Sequence, residues 1–436
     1  MKILELVMDK KRLILYCDRV IFVSLCLLIF WLPISKAVVE SFTLSAFVFW
    51  VLKRVFGYRA ESLWRMLPKT GLNIALGICI LITALSVIFS VDFRLSLRAF
   101  FGKELKFLAI YFMLVEVVNS SQRLKYILTA IIASAMLVTA DAVMQYSRGV
   151  DFLMRYKWDR LTASFSTANG FAGWLIVIIP LFLGLLLAGK AVNRGLKALL
   201  MVLIALLSVC LLATYARGAW LGFIMAIVLM IGYAAKSFSL KVRLLCLFTG
   251  VGLIAIFLFL PQPIKSKVTA IGRLNFRSYE TINLRVKSVL TIEEGGSTLF
   301  RFKLWKEALR IIRDYNFTGC GLNTYSIVAR DYKSFDRGGI YPHNSYLQKA
   351  AETGLFGLAA FFGILFIFFK IGLRYFNQKK DYLALGLLSG ILAFLVHAFF
   401  DTHLYSLQLV VLFWYMLGLT IAVIKLETDS YQNSGG

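Results

Sequence analysis

The sequence predicts an all-α polytopic membrane protein of about twelve transmembrane helices, and three of its features carry that expectation. Hydrophobic residues fill 60% of the 436 positions, against roughly 45–50% in soluble domains, and the mean hydropathy is +0.78. Apolar runs long enough to cross a hydrocarbon core of about 30 Å recur along most of the chain, separated by short clusters of Lys and Arg. One long polar segment, Pro261 to Gly354, interrupts them. A soluble globular class is excluded.

The expected spans are 20–35, 37–52, 70–91, 101–118, 126–144, 170–189, 198–214, 218–235, 244–260, 355–370, 382–400 and 406–424. The first two are short and touch at Pro33 to Lys36, as in a helical hairpin. Met1 to Arg19 carries Lys2, Lys10, Lys11, Arg12 and Arg19 without a small-residue cleavage site, so a retained anchor is expected there and not a removed signal peptide. The chain then divides into helices 1–9 over residues 1–260, a large loop over 261–354, helices 10–12 over 355–424 and a tail over 425–436.

Positive charge sets the orientation, because Lys and Arg are retained on the cytoplasmic side during insertion. Alternate connections carry Lys53/Arg54/Arg59/Arg65/Lys69, Arg123/Lys125, Lys190/Arg194/Lys197, Lys236/Lys241/Arg243 and Lys370/Arg374/Lys379/Lys380. The connections at the opposite face are poorer, with Lys36 alone in the first, Arg217 alone before the eighth span and none between Asp401 and Tyr405. Both termini are therefore expected in the cytoplasm and the large loop outside it.

Most of the net charge of +25 lies in the cytoplasmic connections, where topology and anionic headgroups account for it. The large loop falls outside that short-loop rule, yet it holds 15 Lys and Arg against 8 Asp and Glu. Such an excess suits an anionic ligand at the membrane surface. No basic-aromatic module accompanies it, which argues against nucleic acid. The six cysteines include no CxxC pair and no zinc spacing, and Cys320 is alone in the loop. Exported carboxylates are few and scattered, so no metal site is expected, with Glu293 and Glu294 the one open question. No cofactor motif stands out.

Within the loop, Ser297 to Asp314 reads as an amphipathic helix behind the breaker Gly295-Gly296. At 100° per residue Phe300, Leu304, Trp305, Ala308, Ile311 and Ile312 fall on one arc, and Arg301 falls among them. A guanidinium on that face must find an anion, either a ligand or a nearby carboxylate, or else snorkel along the rim. Arg217 is the second unusual arginine, standing in Thr214-Tyr215-Ala-Arg217-Gly between two apolar spans at the same face. It can bind a charged group or snorkel to lipid phosphate. His343 follows Pro342 and precedes Asn344 or Ser345 as a helix cap, with Ser345 to Gln348 spaced as a capping box. The helix dipole there disfavours an imidazolium and leaves a neutral ring able to accept a proton, while the same positive end suits a phosphate.

Other polar positions carry less information. His397, Asp401 and His403 either bracket a site or form a structural cluster at the outer end of the eleventh span, and Asn169 either touches substrate or caps the sixth. Gly319-Cys320-Gly321 reads as a turn, since no strand precedes it. Glu104 and Lys106 read as an interfacial ion pair.

Several motifs in order carry a family resemblance. They are Phe165 to Asn169-Gly170, Arg217-Gly-Ala-Trp-Leu-Gly222, Arg301 to Ala308 leading into Gly319-Cys-Gly321, His343-Asn-Ser-Tyr-Leu-Gln348 followed by Glu352-Thr-Gly-Leu-Phe-Gly357, and His397-Ala-Phe-Phe-Asp401. Together they resemble the O-antigen ligase and polymerase superfamily over roughly residues 160 to 405. That resemblance implies a GT-C-like membrane glycosyltransferase with one large periplasmic loop between helices 9 and 10, set in the bacterial inner membrane with its active site on the periplasmic face. It implies an undecaprenyl pyrophosphate-linked glycan as donor and, in a ligase, a sugar hydroxyl of the lipid A core as acceptor. In a polymerase the acceptor is a second lipid-linked glycan. The site residues carried over are His343 as general base and Arg217 and Arg301 on the pyrophosphate, with Asn169, Tyr215, Asn344, His397 and Asp401 as possible substrate contacts, no metal and no cofactor. Direct attack by one activated hydroxyl predicts inversion at the anomeric carbon. A polytopic lipid or glycan transporter is the alternative from a different class; it would call for mid-membrane ionisable residues and an inverted repeat, neither of which is evident.

Overall fold

A computed structural model describes residues 2–57, 67–155, 160–188, 193–234, 297–332 and 341–434. Among them the chain is helical and has no strand. In order the helices are α1 (Lys2–Trp31), α2 (Lys36–Gly57), α3 (Asn73–Ile88), α4 (Phe93–Ala99), α5 (Lys106–Val117), α6 (Ser121–Arg148), α7 (Ala168–Leu187), α8 (Arg194–Ala213), α9 (Arg217–Ala234), α10 (Ser297–Asp314), α11 (Tyr325–Val328), α12 (Ser345–Lys379), α13 (Tyr382–Ala398) and α14 (Leu407–Ser434). A π-helical turn, Phe100–Leu105, joins α4 to α5, and a short 3-10 turn, His403–Tyr405, precedes α14.

Six of these helices are long and apolar enough to cross a membrane: Lys10–Trp31, Ser121–Arg148, Ala168–Leu187, Arg194–Ala213, Ser345–Lys379 and Leu407–Thr428. Three shorter apolar helices, Asn73–Ile88, Arg217–Tyr233 and Tyr382–Ala398, lie among them. The protein is thus an all-α polytopic membrane protein. The expected span at 244–260, together with Glu293 and Glu294, lies outside the described residues. The expected span at 101–118 is not a single α-helix, because the π turn interrupts it and the helical segment begins earlier, at Phe93. Asp92 accounts for that earlier start, since its side chain accepts from Leu95 N at 3.0 Å and caps the helix. Glu104 and Lys106 also depart from expectation. Lys106 pairs with Glu40 at 2.6 Å and Glu104 with Lys349 at 3.5 Å, since the π turn aims the two side chains at different neighbours.

Burial ranks the helices. The apolar windows of α14 and α7 are 89% and 78% buried, which makes them the centre of the bundle, whereas α8 at 28% leaves most of its surface outward. Close approach to α13 depends on small residues, as expected where helices associate by packing in an apolar medium. A Cβ on Gly184 would strike the Tyr382 carbonyl and lie 2.9 Å from Gly386 Cα. A Cβ on Gly222 would strike the Ala393 carbonyl, and one on Gly390 would lie 2.7 Å from the Val177 carbonyl. These contacts lock α7 and α9 onto α13.

The two ends of the bundle are held differently. At one end Lys53 bridges Asp18 at 2.6 Å and Glu116 at 2.8 Å, Arg123 meets Asp18 at 2.5 Å, and Arg54 pairs with Glu116, so one ion cluster ties α1, α2, α5 and α6 together. At the other end the loop segments fold onto the helices by hydrogen bonds. Val91 N donates to Cys320 O at 3.0 Å and Ser86 Oγ to Glu352 O at 2.7 Å. Gly319-Cys320-Gly321 is the expected turn; its Cys320 and Gly321 N–H groups donate to Ala351 and Glu352 carbonyls at 2.8 and 3.0 Å. Gly354 splits α12 at φ 72°, a left-handed conformation that suits glycine, and the piece before it folds back over the bundle end.

Replacing Gly222 with Val forces α9 away from α13. Overpacking of this kind costs about 1–3 kcal/mol, so the melting temperature of the purified protein should fall by several degrees, while the same change at Gly232, where an added Cβ meets nothing within 4 Å, should not lower it.

Candidate functional site

The functional candidates gather on one corner, Phe399-Phe400-Asp401, where α13 ends and the chain turns into α14. Each residue of the corner holds a different element. The Phe399 ring lies edge-on to Trp305 of α10 at 5.3 Å, and Tyr346 of α12 packs against it at 6.5 Å. Phe400 fills the space over Gly218, where a Cβ would come within 2.8 Å of it, and so abuts the first turn of α9. Asp401 makes the polar contacts. Arg301 and Arg217, four residues before Trp305 and one before Gly218, are thereby carried to the same corner as His343.

His343 Nδ1 lies 3.1 Å from Asp401 Oδ1, with 41% of the imidazole exposed and 16% of the carboxylate. The bond fixes the tautomer: Nδ1–H donates to the carboxylate and Nε2 is left as the ring's basic atom. Asp401 Oδ2 accepts from Asn169 Nδ2 at 2.6 Å, and Asn169 Oδ1 accepts from Arg160 Nη2 at 2.8 Å. Arg160 Nε in turn donates to the Thr214 carbonyl at 2.6 Å, which fastens the turn leading into Arg217. A continuous chain of charge-assisted bonds thus runs from His343 to the start of α9.

Burial opposes the charge on Asp401, but the bonds from His343 and Asn169 and the nearby His403 outweigh it and hold the carboxyl well below the usual carboxylate range. Beneath the corner His397 and His403 are both buried, with His397 Nδ1 and His403 Nε2 2.8 Å apart. Burial pushes His403 down to about 4. Arg160 and Arg301 both stand near enough to His397 to act on it electrostatically.

Backbone strain marks the same places. His343 has φ 48° and Tyr215 φ 51°, left-handed values that non-glycine residues adopt at some cost and that cluster at functional sites. Asn344, not Ser345, caps α12, its Oδ1 accepting from Tyr346 N at 3.0 Å and Leu347 N at 3.1 Å. The expected capping box does not form. Gln348 bonds Glu352 at 3.2 Å, and Ser345 Oγ donates to the Asp401 carbonyl at 2.9 Å, which pins His343 to the corner a second time.

Most sequence candidates are thus brought together, with some change of role. Arg217 is exposed and Arg301 half-buried. Asn169 is neither a cap nor isolated, since Thr167 caps α7 and Asn169 joins Asp401 to Arg160. Asn344 and His397 are buried, at 1% and 2% exposure. Arg160 was missed. Its one sequence signal is a position five residues ahead of the Phe165 to Asn169 motif, in a stretch that also holds Arg155 and Lys157.

Residues 200–362 match the family model described as O-antigen ligase. No curated protein matches the chain. The chain is therefore a multi-pass helical membrane protein whose resemblance to the O-antigen ligase superfamily holds across α8 to the middle of α12. Arg217, Arg301 and His343 fall inside the matched stretch, whereas Arg160, Asn169 and Asp401 lie on either side of it and join the site only through the fold.

Because the Asp401 carboxyl is depressed in the folded protein, the stability its charge contributes is present above the ordinary carboxylate value of about 3.9 and is lost as pH falls through the lowered folded value. The difference in melting temperature between the native protein and Asp401→Asn should therefore hold constant from about pH 5 to 8 and shrink below about pH 4.

Proposed function

We propose that this protein is an O-antigen ligase, which transfers a glycan from undecaprenyl pyrophosphate to a sugar hydroxyl of the lipid A core. Proteins of the matching family are ligases and polymerases of the glycosyltransferase kind that use lipid-linked glycans. The observation that carries the proposal is the His343–Asp401 contact of 3.1 Å on the corner where the helices bearing Arg217 and Arg301 also pack.

In this scheme the acceptor hydroxyl gives its proton to His343 Nε2 as its oxygen attacks the anomeric carbon. Asp401 holds Nδ1–H and stabilises the imidazolium as it forms, through a bond already made before reaction. The departing undecaprenyl pyrophosphate gains negative charge, which the planar forks of Arg217 and Arg301 suit better than point charges would. The arginines supply the charge stabilisation, so no step of the scheme calls for a metal. One displacement by one base gives inversion.

The remaining expectations belong to the same proposal: about twelve transmembrane helices in a GT-C-like arrangement, cytoplasmic termini, a bacterial inner-membrane location, and a periplasmic loop over 261–354 acting as a lid on the helical domain. The lipid chain of the donor would lie among the helices with its pyrophosphate at the bilayer surface beneath that lid.

Reconstitution of the purified protein with a lipid-linked glycan and either lipid A core or a second lipid-linked glycan tests the reaction. Transfer to lipid A core is expected; elongation of the second lipid-linked glycan alone would recast the protein as a polymerase, and transfer to neither would remove the enzymatic proposal. His343→Ala should lose about 10²–10⁴-fold in rate with donor binding retained. Arg301→Lys, which keeps the charge but loses the fork, should lose about tenfold or more. Retention of anomeric configuration in the product would overturn the single displacement.

A further inference from the structure

A cavity of about 290 Å³ lies on the far side of the 402–405 turn from His343. Its floor is apolar and belongs to spanning helices: Phe361 of α12, and Leu407, Val410, Phe413 and Trp414 of α14. Its more exposed lining is charged, with Glu40, Lys103, Glu104 and Lys106 at the mouth, while Lys349 and Glu352 are buried in its wall. Leu404 and Tyr405 form one wall, and Leu404 N donates to the same Ser345 Oγ that holds the Asp401 carbonyl. One turn therefore separates this cavity from the candidate base.

The charges of the cavity are unevenly matched. Lys106 meets Glu40 at 2.6 Å, whereas Lys103 donates, among the described residues, to the neutral Asn323 Oδ1 at 2.7 Å. Lys349 is 7% exposed, and its ion pair with Glu104 is stretched to 3.5 Å. Glu352 stands close enough to act on it electrostatically, while its Oε2 accepts from Asn323 N at 2.9 Å and its Oε1 from Gln348 Nε2 at 3.2 Å. The Lys349 ammonium also lies over the Phe361 ring, 5.5 Å from its centroid, and with one long hydrogen bond among the described residues its three donors retain capacity for an anion. The π turn, a device frequent at functional sites, presents Lys103 and Glu104 together and leaves Gly102 facing open space.

We propose that this cavity is the subsite for the membrane-anchored, phosphorylated end of the acceptor, with the apolar chain on the α12–α14 floor and a phosphate at Lys349 and Lys103. The inference rests on the transfer reaction proposed above and names the acceptor chemistry: a phosphate borne on a lipid. A saccharolipid and a polyprenyl phosphate both supply it. From this side of the turn, an acceptor sugar reaches His343 while the donor pyrophosphate stays with the arginines.

Binding to the full-length protein in nanodiscs is measured with dihexanoyl phosphatidic acid, dihexanoyl phosphatidylcholine and inorganic phosphate. Phosphatidic acid should bind at least tenfold tighter than either of the others. Lys349→Met and Gly102→Trp should each weaken it at least tenfold, the first by removing charge and the second by filling space while every charge stays. In transfer assays both variants should raise the acceptor KM at least tenfold, with kcat and the donor KM within about twofold of native. Displacement of the probe by lipid A marks a saccharolipid occupant and displacement by undecaprenyl phosphate a polyprenyl one; either supports the subsite. Equal binding of all three probes overturns the inference, as do native binding in Gly102→Trp and competition of the probe with donor in place of acceptor. His343→Ala should keep probe binding, so transfer surviving in that variant overturns the proposed reaction without touching the cavity result.

Discussion

The bond between His343 and Asp401 joins parts of the chain that are distant in sequence, and the geometry around it depends on that junction. Asp401 ends the α13 corner, His343 stands in a left-handed backbone before α12, Asn169 approaches from the first turn of α7 and Arg160 from the segment before it. A buried carboxylate of this kind needs several donors at once, since any one of them alone would leave lone pairs desolvated. The fold meets that demand by bringing α7 and α9 tight against α13 through glycines, which carries Asn169 and the first turn of α9 to the corner. Packing within the apolar bundle and bonding at its polar end are thus one constraint. A shift of α13 along its axis would break both.

The described parts of the large loop, 297–332 and 341–354, are tied to the bundle. They have a small core of their own around Ala308, Ile311, Tyr325 and Ala351, but their turns are closed by bonds to α3 and α12. Gly319, Gly321 and Gly354 all take positive φ, and a Cβ on any of them would strike backbone or a serine hydroxyl across the junction. The described portion therefore packs closely on the helix ends. Arg301 enters the corner through Trp305 against Phe399, an aromatic contact that a free domain could not keep in register.

Much of this was legible in the sequence, and for identifiable reasons. Hydropathy and Lys/Arg clusters mark spanning helices because insertion itself reads those quantities. The amphipathic period over Ser297 to Asp314 and the Pro342 to Ser345 start of α12 are local signals, and both elements form where expected. Pairings across long separations were not legible. Nothing local says that Asn169 meets Asp401, 232 positions away, or that Glu104 meets Lys349, 245 positions away. Arg160 escaped for the same reason: Asn169 and the Thr214 carbonyl, to which it donates, come together only when α7 and α9 both pack against α13.

The short turn from Thr402 to Ser406 links the corner to the charged cavity and limits how the two can behave. Ser345 Oγ is shared between them, donating to the Asp401 carbonyl and accepting from Leu404 N. Tyr405 walls the cavity, and the ring of Phe361 on the cavity floor reaches Tyr346 at 6.5 Å, which in turn touches Phe399. A ligand that moved Tyr405 or Phe361 would therefore act on the carboxylate orienting His343 through groups already in van der Waals or hydrogen-bond contact. Coupling between two sites needs differential contact in two arrangements of a shared element, and this turn is short enough for Ser345 to hold both sides of it at once. With His343 on one face of the turn and the charged cavity on the other, a change at Tyr405 or Leu404 would reach the imidazole through the same few hydrogen bonds.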